Sequence, residues 1–202
     1  RHVRFDMQAN PLPQDTDHLF SPAGFLDDAW WHRTYWQIGT TMAGGYGGWA
    51  QVGNRRISGR LLVLGKDRVF GFGRKQYGST GAHPGLNAEH HLFAADAKLI
   101  RPEPAKAPKA KRPRRPATKV DYHWSEAVPF YVRGMLLAGD TLFVAGPNDV
   151  SELVEEEPDG DVWLWAVSAT DGKPDFRIEL PAPPVWDGMA AARGIFQLTI
   201  CI

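Results

Sequence analysis

The stretch LWAVSATDGKPDFRIELPAPPVWDGMAAARG, Leu164 to Gly194, decides how this chain is read. Its first part is an apolar run ending near Val167, followed by Thr170-Asp171-Gly172-Lys173 and a second run that reaches Leu180. Short apolar runs bounded by Gly, Asp and Pro read as strands, and Gly172 supplies the left-handed residue that a tight turn needs. Pro183-Pro184 then fixes a sharp corner, and at Gly188 the chain starts again. What restarts is a repeat. GMAAARGIFQLTI from Gly188 parallels GMLLAGDTLFVAG from Gly134, and GRLLVLGKDRVFGFG from Gly59 is a looser third copy. Each runs from a Gly-led apolar strand through a Gly-containing turn into an apolar-aromatic strand. Self-similarity at this spacing is the mark of a repeat architecture built from small sheets.

Composition agrees with short strands. The chain of 202 residues holds 21 Gly and 16 Pro, which interrupt long helices. No segment carries a helical period over three turns, so the class is all-β. Eight Trp suit aromatic packing between sheets. Lys plus Arg equals Asp plus Glu at 23 each, so no global field draws in nucleic acid or an anionic membrane. Cys201 is the single cysteine, which excludes an intrachain disulfide and a cysteine metal cluster. No apolar run is long enough for a transmembrane helix, and no signal peptide is visible. The apolar run GIFQLTICI at the C-terminus reads as a strand of a larger whole.

Along the chain, residues 1–57 form an extended arm leading into an aromatic strand. Residues 58–202 carry the hairpins: Leu61 to Phe72, the pair around Gly139-Asp140, and the pair around Asp171-Gly172. EHHLFAADAKLI is a further strand. Two charged insertions separate them. RPEPAKAPKAKRPRRPATK, residues 101–119, is basic and Pro-rich with no periodicity, and ELVEEEPDGD is acidic. The first reads as a solvated linker rather than a nucleic-acid grip, because no aromatics interleave it. The second lacks the spacing of a calcium loop. Pairing of the two runs would account for the zero net charge.

LWAVSATDGKPDFRIEL resembles the strand-turn-strand of the PQQ-like, or quinoprotein alcohol dehydrogenase-like, β-propeller repeat. Ala166, Asp171, Gly172 and Lys173 match that family's pattern, Ser168 stands where Asp is usual, and Phe176 stands where a docking Trp is usual. LFAADAKLI, Leu92 to Ile100, is a degenerate copy without the turn Gly. The resemblance covers roughly residues 58–202 and implies part of a β-propeller: about three four-stranded antiparallel blades with long loop insertions, fewer than the four to eight that close a ring. It also implies that a protein partner or the remainder of a larger polypeptide completes the propeller. The compartment it implies is the periplasm, the cell envelope or the outside of a bacterial cell. In the aromatic wedge position, Phe176 is expected to sit between blades.

Three functions stay open at this level. The first is a non-catalytic or cryptic propeller segment acting as a binding or scaffold module. The second is the C-terminal part of a PQQ-dependent dehydrogenase. That family holds calcium-bound PQQ at the axis with an Asp base, a stacking Trp and often adjacent cysteines; this chain has no adjacent cysteine pair. The third is a carbohydrate-binding or carbohydrate-active propeller. The candidate ligand platform is DDAWWHRTYW: Trp30, Trp31, Tyr35 and Trp36 offer flat faces, and His32 and Arg33 offer polar handles. His83, Glu89, His90 and His91 match no established metal spacing, and adjacent His90 and His91 point to opposite faces of a strand. They are read as solvated histidines, and no metal site is assigned. No Gly-x-Ser-x-Gly, phosphate loop or haem motif is present.

Overall fold

The computed structural model describes residues 7–11, 18–20, 36–39, 57–75, 89–97, 120–148 and 160–200. Among them are thirteen strands and no helix. β1 (His18–Phe20), β2 (Trp36–Gly39) and β3 (Ser58–Gly59) make a three-stranded sheet. β4 (Leu61–Leu64), β5 (Arg68–Arg74), β6 (His90–Asp96) and β7 (Tyr122–Glu126) form a four-stranded antiparallel meander. β8 (Gly134–Ala138), β9 (Thr141–Pro147), β10 (Val162–Ser168) and β11 (Pro174–Leu180) form a second. β12 (Pro184–Ala192) and β13 (Ile195–Ile200) form a two-stranded sheet. Among the described residues no sheet closes on itself.

The class and the three hairpins therefore stand as the sequence reads them. β7 is an addition. Its sequence, YHWSE, mixes polar and aromatic residues and follows the basic insert, so no clean alternation announces it. The insert itself, residues 101–119, lies outside the described residues, as do 21–35 and 151–159.

The sheets stack face to face. One face of the first meander carries Leu61, Phe70, Phe72, Leu92, Ala94 and Trp124 into a core shared with Met135, Leu142, Val144, Trp165 and Val167 of the second meander. The period of two puts the other residues on the opposite face. There Val69, Phe93 and Ala95 pack against Ile38 and Ile57 beside the first sheet. On the far side of the second meander, Phe143 meets Phe196 of β13 with ring centroids 4.9 Å apart. Burial is thorough: Phe72, Phe93, Leu92, Leu142 and Val144 are all fully enclosed. Each such side chain contributes about 1.5–3 kcal/mol of transfer free energy. First strands lie side by side, β4 next to β8 and β8 next to β12.

The two meanders repeat residue for residue. The row Val63, Phe70, Ala94, Trp124 runs straight across the first sheet. The row Leu136, Phe143, Ala166, Phe176 runs across the second. β6 and β10 thus align from His90 with Val162 to Asp96 with Ser168. The degenerate copy read at Leu92 is the structural counterpart of the Ala166 strand.

The rows end differently. Trp124 is 7% exposed, and its Nε1–H donates to Ala169 O at 3.1 Å in the turn of the next sheet. Gly172 (φ 78°) lies flat on that indole; a Cβ there would come within 2.6 Å of Trp124 Cε3. Phe176, the residue expected to wedge between sheets, is 52% exposed. The wedge in place is Trp124, one repeat earlier. Nothing among the described residues covers Phe176 in the way that the turn covers Trp124, because the sheet following it consists of two strands.

Candidate functional site

The aromatic platform falls mostly outside the described residues: Trp30, Trp31, His32, Arg33 and Tyr35 do so, and Trp36 alone is seen. Trp36 is half-buried at the start of β2, paired with Gly59 of β3.

The histidine group separates as strand geometry requires. His90 and His91 are successive residues of β6 and face opposite sides. His90 stacks on Phe72 at 5.5 Å and meets Tyr131 edge-on at 5.3 Å. His91 lies on the other side against Phe93 and Tyr122. Reading it as a solvated histidine is corrected: His91 is 1% exposed, with Nδ1 2.7 Å from Ser125 Oγ and Nε2 buried without a partner. Burial, followed by the charge of Lys75, pushes its pKa down to about 4, so the ring is neutral near pH 7. Burial also raises the Tyr122 hydroxyl pKa above its ordinary value. Glu89 is held below the usual carboxylate range by its hydrogen bond and ion pair with Lys75, at 2.8 Å on the exposed surface. His83 lies outside the described residues, and among the described residues no three metal-ligating side chains converge.

A different cluster does converge, at the leading ends of the three first strands. Arg60 stands just before β4, and its backbone N–H donates to Phe72 O at 2.7 Å. Arg133 stands just before β8, and its N–H donates to Ala145 O at 2.8 Å. Phe72 and Ala145 are equivalent in the two rows, so Arg60 and Arg133 are the same residue of the repeat. Asp187 of β12 takes that place in the third copy, and its N–H donates to Arg133 O at 3.0 Å, tying β12 to the approach of β8.

Side chains from these positions gather on Trp186. The Arg60 guanidinium carbon lies 4.5 Å from the indole centroid and that of Arg133 lies 5.8 Å away. Tyr131 meets Trp186 edge-on at 6.0 Å and accepts Arg60 over its own ring at 5.7 Å. The segment carrying Tyr131 and Arg133 can lie this close to β9 only because residue 146 is glycine. A Cβ on Gly146 would fall 1.8 Å from Tyr131 O. Asp187 has φ 54°, a left-handed conformation that costs a non-glycine residue about 1–3 kcal/mol. Partial burial raises its pKa. The rim therefore gathers two guanidiniums and the Tyr131 ring on one indole, with Trp186 45% exposed to solvent.

Sequence reading passed over this cluster, because its copies align on Gly59, Gly134 and Gly188, which sets Arg60 against Met135; the strand register shifts the first copy by two residues and brings Arg60, Arg133 and Asp187 to one place. The turn Gly172 and its Asp171 were legible. Asp171 accepts from Ser168 and from the Lys173 backbone, which lowers its pKa and closes the turn.

No family model, no curated protein and no solved structure matches this chain. Among the described residues no helix is long and apolar enough to cross a membrane.

Proposed function

We propose that this chain is a run of consecutive blades of a PQQ-like β-propeller. In this reading it acts as a non-catalytic binding or scaffold module of a bacterial envelope or secreted protein. The observation that carries the reading is the seat of Trp124 on the Ala169–Gly172 turn of the following sheet. It supports a stack in which each four-stranded sheet caps the outer aromatic of the one before it. The side-by-side first strands β4, β8 and β12 support a common centre. The two-stranded β12–β13 sheet and the bare Phe176 then ask for two more strands with a small-residue turn. They come from a protein partner or from further polypeptide.

The rim does not fit a calcium-bound quinone. Calcium takes six to eight oxygens, usually with several carboxylates. Among the described residues no such set of carboxylates gathers there, and the two guanidiniums repel a cation. This favours the scaffold reading over the dehydrogenase.

The test uses the polypeptide as it is encoded, with a photo-crosslinking phenylalanine analogue at position 176. A crosslink to a glycine-containing turn in a further strand pair is the expected result. A residue 176 that stays solvent-accessible and crosslinks to nothing overturns the reading. In parallel, dye reduction with alcohols in the presence of added PQQ and calcium should stay at background; turnover would revive the dehydrogenase.

A further inference from the structure

The rim brings two guanidiniums to one indole, and among the described residues no carboxylate pairs with either. Arg60 and Arg133 both approach Trp186, at 4.5 and 5.8 Å from its centroid. The π-face offsets part of their repulsion, and one ring cannot neutralise two cations. Each Nε is buried without a hydrogen-bond partner. Among the described residues neither guanidinium forms an ion pair with a carboxylate. Asp187 does not serve as counter-ion: what moves its titration is burial, with no arginine among the causes. A buried donor left unpaired is costly, so two equivalent ones on arginines that approach the same indole point to a missing acceptor.

We propose that Arg60 and Arg133 form an oxyanion-binding site at the leading ends of β4, β8 and β12, taking a compact phosphate or carboxylate group that bridges the two guanidiniums. The planar fork of each guanidinium matches either oxyanion, and its hydrogen bonds to a charged acceptor are the strong kind. Trp186 fixes where the two forks sit and leaves the site open to solvent. The site needs only that the three first strands lie side by side, so it stands whether or not the sheets close into a ring.

Calorimetric titration in low-salt buffer tests this with inorganic phosphate and, separately, citrate. Saturable binding of at least one of them, at one site per chain, is expected, and the responding anion names the class. Arg133→Gln should weaken it at least tenfold, and Arg133→Lys, which keeps the charge and loses the fork, by less. In anion-free buffer Arg133→Gln should leave the Tm unchanged or raise it, because it relieves the repulsion. A purely structural cation–π contact predicts the reverse: a lower Tm for Arg133→Gln and no binding of either anion. That result overturns the site. So does anion affinity that survives the double substitution Arg60→Gln with Arg133→Gln.

Discussion

The two four-stranded meanders share one template and differ at its outer end. In the first, the row Val63, Phe70, Ala94 ends in Trp124, which the next sheet's turn covers. In the second, the matching row ends in Phe176, which stands half in water. The outer strand of the second sheet pairs over the longer stretch, so backbone hydrogen bonding does not account for the better cover of Trp124. What differs is whether a neighbouring sheet supplies a carbonyl and a glycine face. The stability of each sheet in this stack is thus set partly by the sheet that follows it.

The sharpest way to break the comparison is to truncate both aromatics. Trp124→Ala should cost about 3–5 kcal/mol, since it empties a packed position and removes the shorter of two hydrogen bonds to Ala169 O, leaving that from Arg68. Phe176→Ala should cost under about 1 kcal/mol in the same urea unfolding series. Equal losses would mean that Phe176 is covered after all.

A pH series separates the sheets next. His91 in the first meander corresponds to Trp163 in the second, which does not titrate. The folded pKa of His91 lies below its ordinary 6.5, at about 4. The unfolded chain therefore takes up the proton first as pH falls. Stability should be intact above pH 6.5 and drop by up to about 3 kcal/mol as pH falls through that interval. His91→Phe should flatten the slope, as followed by thermal unfolding from pH 7 to pH 4.

A smaller effect sharpens the contact itself. Gly172→Ala should destabilise by about 2 kcal/mol, because φ 78° is strained for alanine and its Cβ would press on the indole. In the Trp124→Ala background the steric part disappears. The double-mutant cycle should then show a coupling of about 1 kcal/mol. Strict additivity would mean that the turn and the indole do not bear on each other.

The smallest expected effect lies on the surface. Lys75→Gln removes the exposed ion pair with Glu89 and should change stability by under about 0.5 kcal/mol. It should also bring the Glu89 pKa back up toward its ordinary value, measurable by NMR titration.

Much of the fold was legible because its causes are local. Gly139-Asp140 and Asp171-Gly172 fix hairpin turns through backbone geometry alone, and the apolar runs around them alternate with the strand period. The docking aromatic was not legible. Insert 101–119 sits between Ala94 and Trp124, so the spacing that links Ala166 to Phe176 is lost in the first copy. The rim was not legible. Aligned on Gly59, Gly134 and Gly188, the copies set Arg60 against Met135, and convergence on Trp186 depends on strand register and on three strands lying abreast.

By itself, then, the sequence determined the strand class, the turns and the separation of His90 from His91, since each depends on residues within a few positions of one another, and it showed the repeat because each copy carries its own local pattern. Which aromatic became a wedge, which histidine lost its water and which arginines came to share one indole were decided only by the stacking of sheets. Packing brings together residues far apart in the chain, and it is there that desolvation and like-charge repulsion arise.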